Sequence, residues 1–150
     1  MEGVIRYLLD TNLLLYPLDP RDPGKRAQAK ALLRRLARRG SAALPVQALS
    51  EFASIALRKL TPPLSPEATA RQMERLLLAF PALPLTPPVV LEALRGVDRH
   101  GFSYYDAQIW ALARLQGIPV ILSEDFPSGA VLEGVRFLNP LDLSVDLRTL

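Results

Sequence analysis

The stretch Val4-Ile5-Arg6-Tyr7-Leu8-Leu9-Asp10-Thr11-Asn12 decides how this chain is read. Its first six residues are rich in branched and aromatic side chains and read as a buried strand. The strand stops abruptly on a carboxylate, a hydroxyl and an amide. Leu13-Leu14-Leu15 follows too soon for a hairpin, so the chain is expected to bend into a helix. In a parallel α/β sheet, ligands sit outside the carboxyl ends of the strands. Asp10 stands at such an end.

The same pattern returns near the end of the chain. Pro119-Val120-Ile121-Leu122 reads as a second buried strand ending in Ser123-Glu124-Asp125, and Val135-Arg136-Phe137-Leu138 as a further one before Asn139-Pro140. Ser41 to Leu44 is a short apolar stretch that suits a strand. Phe80 to Leu85 contains two prolines and fits a sheet edge. Between these runs the apolar spacing is helical. After a Pro/Asp-rich loop over Pro17 to Gly24, Lys25 to Arg39 carries Ala29, Leu32, Leu33, Leu36 and Ala37 on one face, and Gly40 fits the position past its end. Pro45 opens a helix with Val46, Leu49, Ala53, Ala56, Leu57 and Leu60 at helical spacing, closed by Thr61-Pro62-Pro63. Ser65-Pro66 caps another, to Leu78, and Thr86-Pro87 a third, to about Gly96. Val97 to Phe102 is expected to be a loop, with a last helix from Ser103 to Leu115 that Gly117 closes. Strands alternating with helices predict a single α/β domain over residues 1–150, its central, mostly parallel sheet flanked by helices on both faces.

Composition narrows the chemistry. Residues are 49% hydrophobic and 22% charged, the balance of a globular protein. The absence of Cys excludes disulfides, thiolate metal sites and a Cys nucleophile. No apolar run approaches a membrane-spanning length and no cleavage-like segment follows the first one. No membrane partner is expected, and a cytoplasmic location follows by default. The net charge of +3 suits a polyanionic partner only weakly. Arg34, Arg35, Arg38 and Arg39 form the densest basic patch. Two of them lie in the last turn of their helix, where cations complement the helix dipole. That structural reading is preferred, with phosphate contact secondary.

Several acids each admit a structural and a functional role. Asp10 is either a turn residue capping the following backbone or a functional group, and Thr11 and Asn12 beside it favour the second. Glu51 lies roughly opposite the apolar stripe of its helix, so on its own it reads as an ordinary solvated glutamate. Yet Gln47, Ala48, Ser54 and Ile55 offer it no cation at helical spacing. Asp106 follows Ser103 by three, the spacing of a capping box; it is balanced between that role and a cleft. Asp125 and Glu124 directly follow a strand, as Asp10 does; the competing reading is a turn before Phe126-Pro127. His100 stands alone and receives no role. Two like charges about 4 Å apart repel by roughly 4 kcal/mol at an effective dielectric near 20. Converging carboxylates therefore need a cation or shifted pKa values. With no Cys and one His, the available donors are oxygens, which suit Mg²⁺ or Mn²⁺.

Taken together, Leu8-Leu9-Asp10-Thr11-Asn12, Ser50-Glu51-Phe52, Tyr105-Asp106-Ala107-Gln108-Ile109 and Leu122-Ser123-Glu124-Asp125-Phe126 resemble the PIN-domain family, especially its small stand-alone VapC-type toxins. Gly134-Val135-Arg136-Phe137-Leu138-Asn139-Pro140 resembles the close of these domains. The likeness runs from about Val4 to Asn139, and its specificity comes from the order and spacing of the motifs. It implies a PIN-like nuclease domain with an acidic pocket for Mg²⁺ or Mn²⁺. The implied activity is metal-dependent endoribonuclease cleavage of single-stranded or loop RNA by metal-activated water. Asp10, Glu51, Asp106 and Asp125 would be the acidic quartet, with Asp10 and Asp106 meeting the metal most directly. Asn12 and Ser123 would orient ligands by hydrogen bonds. Thr11 lies beside them, and Glu124 would be an extra acid. The resemblance also implies a cognate antitoxin partner and a homodimer. The rival expectation is a PIN-like module that binds protein or RNA without cleaving. The second acid of a D-x-D phosphatase motif is missing, since that position is Asn12, and neither a P-loop nor a G-x-G-x-x-G turn is present.

Overall fold

Tyr7–Leu9 forms β1, and all three residues are buried because both faces of the strand are covered. The structure is a computed structural model that describes residues 4–126, 129–142 and 144–150. The other strands are β2 (Ala42–Pro45), β3 (Ala82–Leu83), β4 (Val120–Leu122), β5 (Val131–Leu132) and β6 (Val135–Leu138). The helices are α1 (Thr11–Leu15), α2 (Pro23–Arg39), α3 (Val46–Arg58), α4 (Pro66–Ala79), α5 (Pro87–His100) and α6 (Tyr104–Gln116). Among the described residues the sheet order is β3-β2-β1-β4-β6-β5. Every pairing is parallel except that of β5 with β6. Among the described residues, no helix is long and apolar enough to cross a membrane.

Side-chain alternation along the strands divides the core in two. Tyr7, Leu9, Ala42, Leu44 and Leu122 face Leu13 and Leu14 of α1, Leu32 and Leu36 of α2, and Leu49 and Phe52 of α3. Leu8, Ala43, Ile121 and Phe137 face the other way, onto Val89 and Ala93 of α5 and the run Ala107 to Ala113 of α6. Each fully buried Leu or Phe contributes about 1.5–3 kcal/mol of transfer free energy. The short strands are held by this two-sided burial more than by their own length.

Several elements differ in extent from the sequence-based expectation. α2 starts at Pro23, two residues early, because Asp22 caps it by accepting from the Lys25 backbone N–H at 3.0 Å. α5 runs on to His100, and Gly101, at φ 72°, ends it in place of the expected loop from Val97. Gly96 therefore lies inside a helix. A Cβ there would come within 2.7 Å of the Trp110 ring, so this glycine permits α5 and α6 to approach. β6 coincides with the expected strand Val135–Leu138, whereas β5, which pairs with it as a hairpin, has no counterpart among the expected strands. Glu133 turns the hairpin at φ 51°, and its carboxylate is bound by Arg95 at 2.9 Å and by His100 at 2.6 Å. His100, given no role from sequence, thus ties the end of α5 to this turn. Pro127, part of the turn considered for Asp125, lies outside the described residues.

Candidate active site

The chain changes direction across the sheet between β1 and β4: β2 and β3 lie on one side of that boundary, β4, β6 and β5 on the other. The crevice outside the carboxyl ends of strands at such a switch point is where open α/β sheets bind ligands. The register pairs Leu9 with Leu122, and the Asp10 backbone N–H donates to the Leu122 carbonyl at 3.0 Å. The residues just past both strands therefore emerge side by side.

Ser123 joins the two strand ends. Its Oγ donates to Asp10 Oδ2 at 2.7 Å and accepts from the Asp125 backbone N–H at 3.1 Å and from Asn12 Nδ2 at 3.4 Å. The residue is completely buried. Asp10 Oδ1 accepts from the Thr11 backbone N–H at 2.8 Å, so the carboxylate also opens α1. Burial pushes the Asp10 carboxyl above its usual value. The hydrogen bonds from Ser123 and Thr11 oppose that rise, while the charges of Asp125 and Glu51 add to it. Asn12 Oδ1 is buried without a hydrogen-bond partner.

Glu51 reaches the same place from α3. Its Oε2 accepts from Thr11 Oγ1 at 3.0 Å and its Oε1 from Gln47 Nε2 at 2.9 Å. The helical wheel misjudged it. Val46 and Leu57, counted in the apolar stripe, are 43% and 39% exposed, and the buried face is Ala48, Leu49, Phe52 and Ala56. Glu51 borders that face. Gln47, noted only for lacking a positive charge, orients it instead, at the i, i+4 spacing that allows such contact.

Asp106 projects from the first turn of α6. The capping-box alternative is not realised, because the Ser103 side chain makes no cap hydrogen bond. Asp10, Glu51, Asp106 and Asp125 all line one cavity of about 70 Å³, with Thr11, Gln47 and Tyr105 among its other walls. A single water needs roughly 10–15 Å³ on this measure, so the cavity has room for several waters or for an ion with water. Among the described residues, no three His, Cys, Asp or Glu side chains close in tightly enough to enclose a metal ion by themselves. The donors are all oxygens, which suits a hard divalent cation that keeps part of its water shell.

Glu124 is turned elsewhere. Lys25 Nζ meets its Oε2 at 2.8 Å, and the Tyr16 hydroxyl donates to its Oε1. Burial raises this carboxyl, but the bonds from Lys25 and Tyr16 outweigh it and hold the group below its usual value. It is absent from the cavity wall. Of the basic patch, Arg35 donates to the Leu150 carbonyl at 3.3 Å, while Arg38 and Arg39 lie in the last turn of α2.

A family profile for the PIN domain matches residues 7–126. No curated protein matches the sequence. Solved structures do share the fold. The sarcin-ricin-loop-cleaving toxin VapC20 of Mycobacterium tuberculosis superposes with a TM-score of 0.66 at 19% identity, covering 87% of this chain and 98% of the other. A toxin–antitoxin complex from Klebsiella pneumoniae gives 0.65 at 17% identity, covering 89% and 97%. VapBC2 of Rickettsia felis, bound to a fragment of promoter DNA, gives 0.63 at 12%, covering 87% and 96%.

Proposed function

This chain belongs to the PIN-domain family, and on that premise we propose that it is a metal-dependent endoribonuclease, the toxin of a toxin–antitoxin pair, acting on single-stranded or loop RNA. The observation that carries the reading is the convergence of Asp10, Glu51, Asp106 and Asp125 on one cavity at the switch point of the sheet. Asp10 and Asp106 would hold Mg²⁺ or Mn²⁺, with Glu51 and Asp125 completing the charge directly or through water. When bound, such an ion supplies Lewis acidity at the phosphate and makes a water a better nucleophile.

The rest of the site acts by orientation. Ser123 fixes one oxygen of Asp10 and the Thr11 backbone fixes the other, so the carboxylate plane has no freedom to turn. Thr11 and Gln47 hold the two oxygens of Glu51. Charge on Asp10 is disfavoured by burial and by its neighbours, so a cation entering the cavity relieves an existing cost. A cognate antitoxin belongs to this same reading, favoured by the toxin–antitoxin complexes that share the fold; a homodimer and a cytoplasmic location are proposed with it.

The second reading, a PIN-like module that binds without cleaving, draws on the absence, among the described residues, of a tight three-acid cluster. One experiment separates them. Single-stranded RNA is incubated with the protein and Mn²⁺ or Mg²⁺, with and without EDTA, beside Asp10→Asn. The nuclease cuts only with the metal and only with Asp10 present. RNA that is bound yet uncut under all conditions favours the binding module, and equal cutting by the variant removes Asp10 from the chemistry.

A further inference from the structure

Beside the acidic cavity lies an open groove of about 430 Å³ lined by Gln47, Ser50, Glu51, Ser54, Ile55, Lys59 and Tyr105. Gln47, Glu51 and Tyr105 belong to both, so groove and cavity are one continuous surface. The two ends differ in chemistry. The cavity end presents four carboxylates. The groove end presents Lys59 in its wall, and Arg58 beside it donates to Ser54 Oγ at 2.9 Å. Among the described residues, neither Lys59 nor Arg58 is paired with a carboxylate. Between the ends stands Tyr105, 64% exposed although it is a large ring on a helix that buries every residue from Ala107 to Ala113.

We infer that this groove is the subsite for the nucleotide next to the scissile phosphate of a single-stranded RNA, its base stacking on Tyr105 and its phosphate meeting Lys59. The inference rests on the nuclease reading above and names how that site takes its substrate. Three features point to a nucleic-acid strand over other occupants. An exposed ring supplies a stacking platform that accepts any base. Unpaired cations follow at one end only, where a phosphate outside the metal's reach needs them. The Ser50 and Ser54 side chains give the floor hydroxyl donors and acceptors suited to ribose and phosphate oxygens. A volume of a few hundred cubic ångströms is that of a small-ligand site, enough for a nucleotide.

The test measures binding apart from cutting. In the Asp10→Asn background, the affinity for a fluorescein-labelled single-stranded RNA of mixed sequence is followed by anisotropy, with Tyr105→Ala, Tyr105→Phe and Lys59→Ala added in turn. Tyr105→Ala is expected to weaken binding about tenfold, and Tyr105→Phe to stay within about twofold, because stacking needs the ring and not the hydroxyl. Lys59→Ala, farther along the groove, is expected to lower the slope of log affinity against log salt by about 0.7, the loss of one phosphate contact to a single strand. Melting temperatures verify that each variant is folded.

Unchanged affinity in both Tyr105→Ala and Lys59→Ala overturns the subsite. If the otherwise unaltered enzyme carrying those substitutions still cuts RNA with Mn²⁺, the nuclease reading survives its loss. RNA that neither binds nor is cut overturns both. A change in oligomeric state by sedimentation, with RNA affinity unaltered, makes the groove a protein interface and also overturns the subsite.

Discussion

Ser123 Oγ donates to Asp10 Oδ2 at 2.7 Å, linking the residues that follow the two neighbouring strands β1 and β4. The same hydroxyl accepts from the Asp125 backbone N–H and from Asn12. One completely buried side chain therefore sets the positions of two of the four cavity acids. Ser123→Ala leaves a part-buried carboxylate oxygen and a part-buried N–H without this partner. Removal of one partner from a buried hydrogen bond costs about 1–3 kcal/mol. Urea unfolding should show a loss in that range, and cleavage should fall more than RNA binding, since Asp10 loses its orientation while the groove is untouched.

Asp10→Asn gives the opposite sign for stability. The native carboxyl ionises above its ordinary value of 3.8 because of burial, with Asp125 and Glu51 adding to the effect. The protonated form therefore favours the fold, an advantage complete below pH 3.8 and lost as pH rises through the native value. Once the carboxylate is charged, that advantage is gone. An Asn removes the charge but keeps an acceptor for only one of the two donors, Ser123 or the Thr11 N–H, so the lost hydrogen bond offsets part of the gain. In buffer free of divalent cations, Asp10→Asn should melt about 2–4 °C higher, the shift that roughly 1 kcal/mol produces in a domain of this size. A lower melting temperature would show that the charge is not a burden.

Divalent cations should reverse that order. A ligand that binds only the native state stabilises it, by about 2.7 kcal/mol at a hundred times its dissociation constant. Millimolar Mn²⁺ is expected to raise the melting temperature of the parent by several degrees and that of Asp10→Asn by much less. Equal shifts in the two proteins would place the ion outside the cavity.

Gly96→Ala tests the contact between α5 and α6. In an exposed helix Ala is favoured over Gly by about 1 kcal/mol. Here the new Cβ would lie 2.7 Å from Trp110 Cζ3 and 2.8 Å from Cε3. Trp110 is completely buried, and its Nε1 donates to the Leu132 carbonyl at 3.1 Å, so the ring has nowhere to withdraw. Overpacking outweighs propensity, and a net destabilisation of about 1–3 kcal/mol is expected in chemical denaturation.

Gly96 also marks what local pattern could not reveal. A glycine late in a helical run reads as a stop, and only the position of Trp110, on the next helix, shows that it is a point of close approach. Asp10 and Asp125 were legible because each closely follows an apolar run, and strand ends lie on one edge of a parallel sheet. Asp106 was ambiguous until the Ser103 side chain proved not to cap its helix. Glu51 was reached only through the family resemblance, because Val46 and Leu57, on the outer side of α3, drew the apolar stripe toward themselves. Its partners Thr11 and Gln47 come from separate elements, and the link to Thr11 spans 40 residues. Glu124 looked equivalent to Asp125 by position, yet Lys25 and Tyr16, distant in sequence, hold it away from the cavity.

Glu133 supplies the last expectation, in the hairpin at the opposite edge of the sheet from β3. Its carboxyl is pulled down to about 2 from an ordinary 4.5, first by the hydrogen bond to His100 and then by those from Arg95, with Arg114 adding charge. The ionised form therefore favours the fold. That contribution is present above pH 4.5 and is lost as pH falls through about 2. Glu133→Gln keeps the shape of the side chain and removes the charge. Trp110 reports the change, because Arg95 stacks over its ring and Leu132 of the same hairpin binds its indole N–H. Between pH 4.5 and 2, the stability of the parent followed by Trp110 fluorescence should fall more steeply than that of Glu133→Gln, with the curves converging toward the acid end. Parallel curves across that window would show that the hairpin is held by packing alone.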